Sequence, residues 1–441
     1  MAANWTIRLT QSRNSGEFLG YNLESPSAGP EVDGSTSQEV RFRGWLLTKS
    51  GPGRIILSHS GVVLVEAVAN LPRPDVARAR IANHDDHPGV ENCGFDIVVP
   101  HRPGPYCLEI QSSQLLNPQI ASMSFHLLDQ QEGPYALIGK FQQLFLGGDS
   151  NDSIGQFIED RTLPDHSVKA WTANFKDMIR WEADLGLRSA FLVAPAKEEI
   201  IPEAFPMPRA ARTVMDDFRS RFAAKAIIPI HALRAQKQFT YCETDTHWTD
   251  YGATIAARSV LKYWNMDEAA LAALPQDFRV FQRQGDLGVK LEPRRASYEL
   301  TYSQCYDRFL VFDNRVQNHG CLRLWRNSEA VIKGSCLIFG DSFGTNLAQS
   351  LTTVFREVAY AYRPAGFDPK LVSLLTPDHI ILQITQRFLH GVPQRDSSIF
   401  YTAATKIAGL PDIERETVVE GLRHSAQGPL AAIAEAHLTL L

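Results

Sequence analysis

Two short stretches carry residue types able to do nucleophilic chemistry. The first is Gly340-Asp341-Ser342, preceded by the apolar run Cys336-Leu337-Ile338-Phe339 and followed by Phe343, Leu347, Leu351, Val354 and Phe355 at helical spacing. The run has a buried strand's length, so Ser342 falls where a strand turns into a helix. In an open α/β sheet, strand C-terminal ends are where ligands bind, and a helix N-terminus offers N–H groups to a developing oxyanion. The second is Thr244-Asp245-Thr246-His247-Trp248-Thr249-Asp250. In a loop, one Asp245 oxygen can reach Nδ1 of His247, leaving Nε2 to take a proton from a serine hydroxyl. Each stretch also has an ordinary reading. Asp341 or Ser342 could simply cap a helix, and Asp-x-His could be a solvated turn.

The elements that must position these residues are legible from periodicity. Trp171, Phe175, Met178, Ile179 and Glu182 mark an amphipathic helix, and Ser189 to Pro195 reads as a buried strand. A helix over about 207–223 leads to the apolar run Ala226–Ile230. Thr249 or Asp250 can cap a helix through Ala253, Ala256, Val260 and Trp264. After Ser342 come a strand over Glu357–Tyr362, a helix begun by Asp368-Pro369, and a strand over Asp378–Ile384. This alternation predicts an α/β domain, a parallel sheet flanked by helices, over residues 131–410. The irregular segment 270–330 reads as an insertion beside the active-site face, and 411–441 as a helical tail. Residues 1–130 show short strands at 40–47, 54–58, 62–68, 94–99 and 106–110 between Gly- and Pro-rich turns, which predicts a β-sandwich.

Other candidates are weaker. His84-Asp85-Asp86-His87 holds metal-ligating types, but adjacent residues in a polar loop rarely converge on one ion, so no metal is expected. Cys242 neighbours Glu243, whose charge opposes a thiolate. Gly148-Asp149-Ser150-Asn151 repeats Gly-Asp-Ser without an immediate amphipathic helix. It reads as a rim loop, with Asp149 and Asn151 as oxyanion or supporting residues. Among 441 residues the net charge is −5, which speaks against a nucleic-acid surface. The first residues lack a signal-peptide h-region, no apolar run reaches a membrane span, and six scattered cysteines show no CxxC spacing. The expectation is a cytoplasmic protein with reduced thiols.

Taken together, Asp245-Thr-His-Trp248 upstream of Gly340-Asp-Ser-Phe343 resembles the SGNH-hydrolase-like domain of the alginate O-acetyltransferase family. Supporting matches are Phe145-Leu146 near Gly147-Gly148-Asp149, Val193-Ala-Pro-Ala-Lys197, Tyr241, and Pro377 through Arg387 to Leu389. The resemblance spans about 131–400. It implies an SGNH-like fold, with Ser342 as nucleophile, His247 as general base and acid, and Asp245 as its orienting partner. The Asn and Gly oxyanion donors of ordinary SGNH hydrolases have no clear match. Arg387, at the end of a strand where such an Asn is expected, is a candidate for anion stabilisation or substrate binding, or else a salt-bridge residue. Trp248 and Tyr241 join Asp149 and Asn151 as oxyanion or substrate-binding candidates.

The function so implied is serine-dependent O-acyl transfer, with acetyl passing to a carbohydrate hydroxyl. Its alternatives are an SGNH-type carbohydrate acetyl esterase and a non-catalytic glycan-binding protein. No cofactor is expected beyond the acyl donor itself, and the expected partner is a carbohydrate or polysaccharide. The N-terminal region resembles sandwich modules attached to bacterial sugar-modifying enzymes, through Gly44-Trp45, Arg73-Pro-Asp-Val-Ala77, Gly94-Phe95 and Gly104 to Ile110. That likeness implies a glycan-binding or docking role.

Overall fold

In the computed structural model the described residues are 4–11, 18–26, 29–30, 39–49, 51–60, 62–81, 90–102, 104–112, 122–129, 133–392, 398–428 and 430–441. The His84–His87 stretch lies outside them. The chain divides into two compact units, Met1–Ile154 with Glu203–Arg209, and Gly155–Pro202 with Ala210–Leu441. The division falls later than the change of period at residue 131, and the helical tail belongs to the second unit.

The N-terminal unit is rich in β-structure. One antiparallel sheet is built on Asn4–Gln11, Ser122–Asp129, Pro105–Gln111, Arg54–His59 and Val62–Val68, and another on Phe18–Ser25, Glu39–Thr48 and Asn92–Pro100. Alternate residues face one shared core. Val40, Phe42 and Leu46 meet Ile55, Leu57, Phe95, Ile97, Leu108, Ile110 and Leu127 there. Three strands escape the sequence reading, at 4–11, 18–25 and 122–129. Their polar residues dilute the alternation, and only cross-strand pairing defines them. Arg73-Pro74 opens the short helix Pro74–Ile81.

The second unit is built on a six-stranded sheet in the order Arg188–Ala194, His379–Thr385, Ile332–Gly340, Phe355–Tyr362, Leu322–Arg326 and Leu310–Asp313. The first four strands run parallel. Leu322–Arg326 runs against them, and Leu310–Asp313 pairs antiparallel to it. The sheet is therefore mixed, its four parallel strands joined by an antiparallel edge. The reason lies in segment 270–330, whose second half does not merely insert beside the site but supplies the antiparallel edge. Its first half forms a two-stranded ribbon, Phe278–Arg283 with Ser297–Tyr302. In the apolar run at 226–230 only Ile227 makes a parallel bridge, to Leu192. Pro229 lacks the N–H a ladder needs and instead precedes the helix Ile230–Arg234.

Burial explains why the serine strand is rigid. Every residue from Cys336 to Gly340 is buried, and all seven of His379–Thr385 beside it are as well. Each fully buried large apolar side chain contributes about 1.5–3 kcal/mol. A net side-chain hydrogen bond contributes about 1 kcal/mol. Packing thus sets where the strand ends, and hydrogen bonds set the turn beyond it. The helix Asp165–Leu185 covers one flank through Trp171 and Phe175, whose rings lie 5.5 and 4.9 Å from Phe191. The helices Asp250–Tyr263 and Gly344–Leu351 meet through Thr254 and Ser350. Among the described residues no helix is long and apolar enough to cross a membrane.

Candidate active site

Ser342 follows the C-terminal end of the third strand in the sheet, flanked by the ends of two parallel neighbours. Gly340 pairs with Tyr362 on one side, and Phe339 with Leu382 on the other. The turn is held by Asp341, which is fully buried. Its carboxylate accepts the amides of Phe343 at 3.1 Å and Thr385 at 2.6 Å, and the Gln383 side-chain amide at 2.9 Å. Gln383 returns its oxygen to the Asp341 N–H at 2.9 Å. A Cβ at Gly340 would stand 2.5 Å from that oxygen, so a larger residue there would push the Gln383 side chain off its bonds to Asp341. Asp341 is therefore not the cap of the following helix, which begins at Gly344 without a side-chain cap. It ties the serine turn to the adjacent strand.

The second stretch also lies in a loop, ahead of the helix Asp250–Tyr263. Thr249 caps that helix, accepting the Gly252 amide at 3.1 Å. Asp250 turns away to accept Thr301, Tyr302 and Asn346. The structure brings Asp245, His247 and Ser342 into one hydrogen-bonded row. His247 Nδ1 lies 2.7 Å from Asp245 Oδ1, and His247 Nε2 lies 2.8 Å from Ser342 Oγ. The same Asp245 oxygen accepts the His247 amide at 2.8 Å. An ionised carboxylate only accepts, so Nδ1 carries the proton and Nε2 presents its lone pair to the serine hydroxyl.

Electrostatics supports that assignment. Burial would raise the Asp245 carboxyl, but hydrogen bonds from His247 and the nearby charges of His247 and Arg283 hold it well below the usual carboxylate range. Arg283 Nη2 stands 3.6 Å from Asp245 Oδ2. The Asp286 amide donates to that same oxygen at 3.1 Å. Asp286 in turn accepts the Thr246 amide at 2.8 Å and the Thr246 hydroxyl at 2.5 Å. Gly285 makes this approach feasible. It has φ +65°, and a Cβ there would sit 2.2 Å from the Thr244 carbonyl oxygen.

Asp245, His247 and Asp286 are also a group whose ligand atoms lie within 4.8 Å of one another. A cation there would need His247 Nδ1, which already serves Asp245, and would sit against the Arg283 charge. The donor set suits a proton row better than an ion.

The other sequence candidates take different places. Trp248 is buried and donates its indole N–H to the Phe343 carbonyl at 3.2 Å, its ring edge-on to Phe343 at 5.0 Å. Tyr241 is buried and donates its hydroxyl to the Pro195 carbonyl at 2.6 Å. Both donors are committed to backbone, so these two residues brace the site and do not offer a hydrogen bond to an oxyanion. Asp149 and Asn151 belong to the N-terminal unit, where Asp149 accepts the Asn151 amide and both the amide and hydroxyl of Ser153. Arg387 begins no salt bridge among the described residues, and its guanidinium lies over the Phe388 ring at 5.1 Å. Its positive charge is felt at Tyr241 and Tyr362. Cys242 is buried with its sulfur 3.1 Å from the Ser297 hydroxyl, closed to a substrate.

Sequence reasoning missed Gln383, Thr385, Asp286 and Tyr362. Gln383 had a signal, a lone polar side chain inside the buried strand His379–Thr385. Tyr362 ends the neighbouring strand. Burial pushes its phenol up and Asp341 adds to this, while the Arg387 charge and the neighbouring Ser342 act the other way. Its ring meets His319 edge-on at 4.9 Å.

Against known proteins, residues 158–372 match a family model described as SGNH hydrolase-like domain, acetyltransferase AlgX. Among solved structures, PatB1 of Bacillus cereus is 12% identical with a TM-score of 0.43, the match covering 59% of this chain and 98% of that one. The O-acetyltransferase domain of Pseudomonas putida AlgJ is 14% identical at a TM-score of 0.37, covering 65% and 98%. Pseudomonas aeruginosa AlgX is 11% identical at 0.35, covering 58% and 63%. No curated protein sequence matches the chain. The matched segment contains Asp245, His247 and Ser342, and over it the chain is similar to the SGNH hydrolase-like domain of acetyltransferase AlgX.

Proposed function

We propose that this chain is a serine-dependent O-acetyltransferase that moves an acetyl group from an ester donor to a carbohydrate hydroxyl. The observation that carries the reading is the row Asp245–His247–Ser342 at 2.7 and 2.8 Å. Ser342 Oγ attacks the donor carbonyl while His247 Nε2 takes its proton. The tetrahedral intermediate expels the donor's alcohol, which leaves with that proton, and acetyl remains on Ser342. A sugar hydroxyl then attacks the acetyl carbonyl, giving its proton to Nε2. Ser342 Oγ leaves and recovers that proton. Asp245 keeps Nδ1 protonated and stabilises the imidazolium in both halves. We read the Ser342 amide and the Tyr362 hydroxyl as the donors to the oxyanion. Arg387, with no carboxylate partner among the described residues, supplies positive charge for the acceptor. The N-terminal unit, with two sheets about one core, is read as an accessory sandwich for glycan binding or docking.

The test is incubation with a chromogenic acetyl ester, with and without a carbohydrate acceptor. Acetyl should appear on the Ser342 peptide by mass spectrometry and pass to the acceptor faster than to water. Ser342→Ala should remain folded, acquire no acetyl and lose turnover by on the order of a thousandfold or more. Release to water at the same rate with or without acceptor would indicate an esterase. A wild-type protein that never acylates, yet binds glycan as well as Ser342→Ala, would make the chain a binding module.

A further inference from the structure

Lys197 stands in a place the mechanism above does not use. It follows the buried strand Arg188–Ala194 and opens the short helix Lys197–Ile200, and its side chain is buried. Its ammonium donates to three carbonyl oxygens of one loop. They belong to Cys242 at 2.6 Å, Glu243 at 2.9 Å and Asp245 at 3.3 Å. The carbonyl between them, that of Thr244, accepts the amides of Leu287 and Gly288 at 3.1 and 2.9 Å. All four carbonyls from 242 to 245 therefore have donors, and Lys197 supplies three of those bonds.

We infer that Lys197 is a positioning residue, its ammonium curling the 242–245 backbone into the arc that sets the Asp245 carboxylate against His247. This rests on the proposed role of that pair. An ammonium has three N–H donors and no acceptor, which matches three convergent carbonyls. A neutral amine has two, and would release one of these carbonyls; of the three, that of Cys242 also accepts the Asp245 amide, at 3.4 Å, so the loss falls hardest on Glu243 or Asp245. An arginine fork is planar and fixed, and does not converge on three oxygens around one point. The tether also joins two other parts of the site. The strand end that bears Lys197 accepts the Tyr241 hydroxyl at the Pro195 carbonyl and donates the Ala196 amide to the Gln386 side-chain oxygen. Burial brings the Lys197 pKa down to about 8, opposed by the charges facing it from Cys242, Asp245, Asp286 and Glu243.

The test compares wild type with Lys197→Met and Lys197→Arg. Three readouts are taken: kcat and KM for a chromogenic acetyl ester, the rate of Ser342 labelling by a sulfonyl fluoride, and the low-field proton resonance of the His247 Nδ1–H. In Lys197→Met we expect kcat and labelling to fall ten- to hundredfold together with KM little changed, and the low-field resonance to move upfield or broaden. Lys197→Arg keeps the charge and should retain more activity than Met. In wild type, labelling should slow as pH rises through about 8. In Lys197→Arg that alkaline loss should shift upward.

A folded Lys197→Met with wild-type kcat and an unmoved resonance overturns the inference. If Met does not fold, a Lys197→Arg whose alkaline limit coincides with wild type does so instead. Failure of the serine reading is distinguishable, because wild type would then resist labelling at Ser342. The resonance comparison would still judge Lys197.

Discussion

The amide of Thr385 donates to the buried carboxylate of Asp341 at 2.6 Å, joining the end of one central strand to the turn that carries Ser342 on the next. Gln383 makes a second tie, exchanging two hydrogen bonds with the same residue. The place of Ser342 is thus fixed by a residue outside the Asp245–His247–Ser342 row. Tyr360 adds a bond from its hydroxyl to the Asp341 carbonyl at 2.7 Å.

Asp341→Asn should expose this dependence. The carboxylate accepts three donors, and an amide offers one oxygen for them while turning an N–H₂ toward at least one. Stability should fall by about 1–3 kcal/mol, the cost of a buried donor left unpaired. Turnover should drop at least about tenfold as the serine turn loosens. Urea denaturation and ester hydrolysis measure the two effects. A variant as stable and as active as wild type would show that packing alone sets the turn.

The Asp245 carboxyl predicts a pH dependence with a definite sign. Its folded-state pKa is depressed below the unfolded value of about 3.9. The group therefore contributes stability that is fully present above the unfolded value and is lost as pH falls through it toward the folded one. Asp245→Asn lacks this contribution. The stability gap between wild type and variant should be about 1.5–3 kcal/mol at pH 7, the range for a hydrogen bond to a charged group. It should stay constant down to about pH 5 and shrink below about pH 4. A gap that widened on acidification would contradict the depressed carboxyl.

Metal ions give an independent check on how His247 is used. Activity should persist in excess chelator. Added zinc should inhibit, since an ion among Asp245, His247 and Asp286 would take the nitrogen that now donates to Asp245. Inhibition should deepen as pH rises and protons compete less for the site. Loss of activity in chelator, restored by zinc, would instead make metal-activated water the nucleophile.

Much of the fold was legible because periodicity is a local property. Trp171 and Phe175 recur on one helical face, and Cys336–Phe339 and His379–Ile384 are unbroken apolar runs. Each pattern appears in the structure as the helix or strand it implied. Where the local signal is weak the reading failed. The strand Leu322–Arg326, with Arg323 facing Asp313 and Trp325 buried, shows neither a clean alternation nor a long apolar run, and pairing with Phe355–Tyr362 defines it. At 226–230 the apolar run forms only a single bridge, and Pro229, which has no N–H for a ladder, was the signal in the sequence that it would not extend.

The sequence by itself determined which residues have the right chemistry. A serine after a buried strand and an Asp-x-His before a capped helix are visible as residue types at fixed spacing, and no folding is needed to see them. Only the tertiary structure decided what each one touches. Ser342 and His247 are far apart in the chain, and their 2.8 Å separation follows from a parallel sheet and its crossover helices. The same sheet gives Trp248 and Tyr241 backbone partners, although both look like substrate contacts in the sequence. Asp286, Gln383 and Lys197 lie distant in sequence from the residues they hold. Hydrogen bonding acts over about 3 Å, so their roles exist only once the fold has closed those distances.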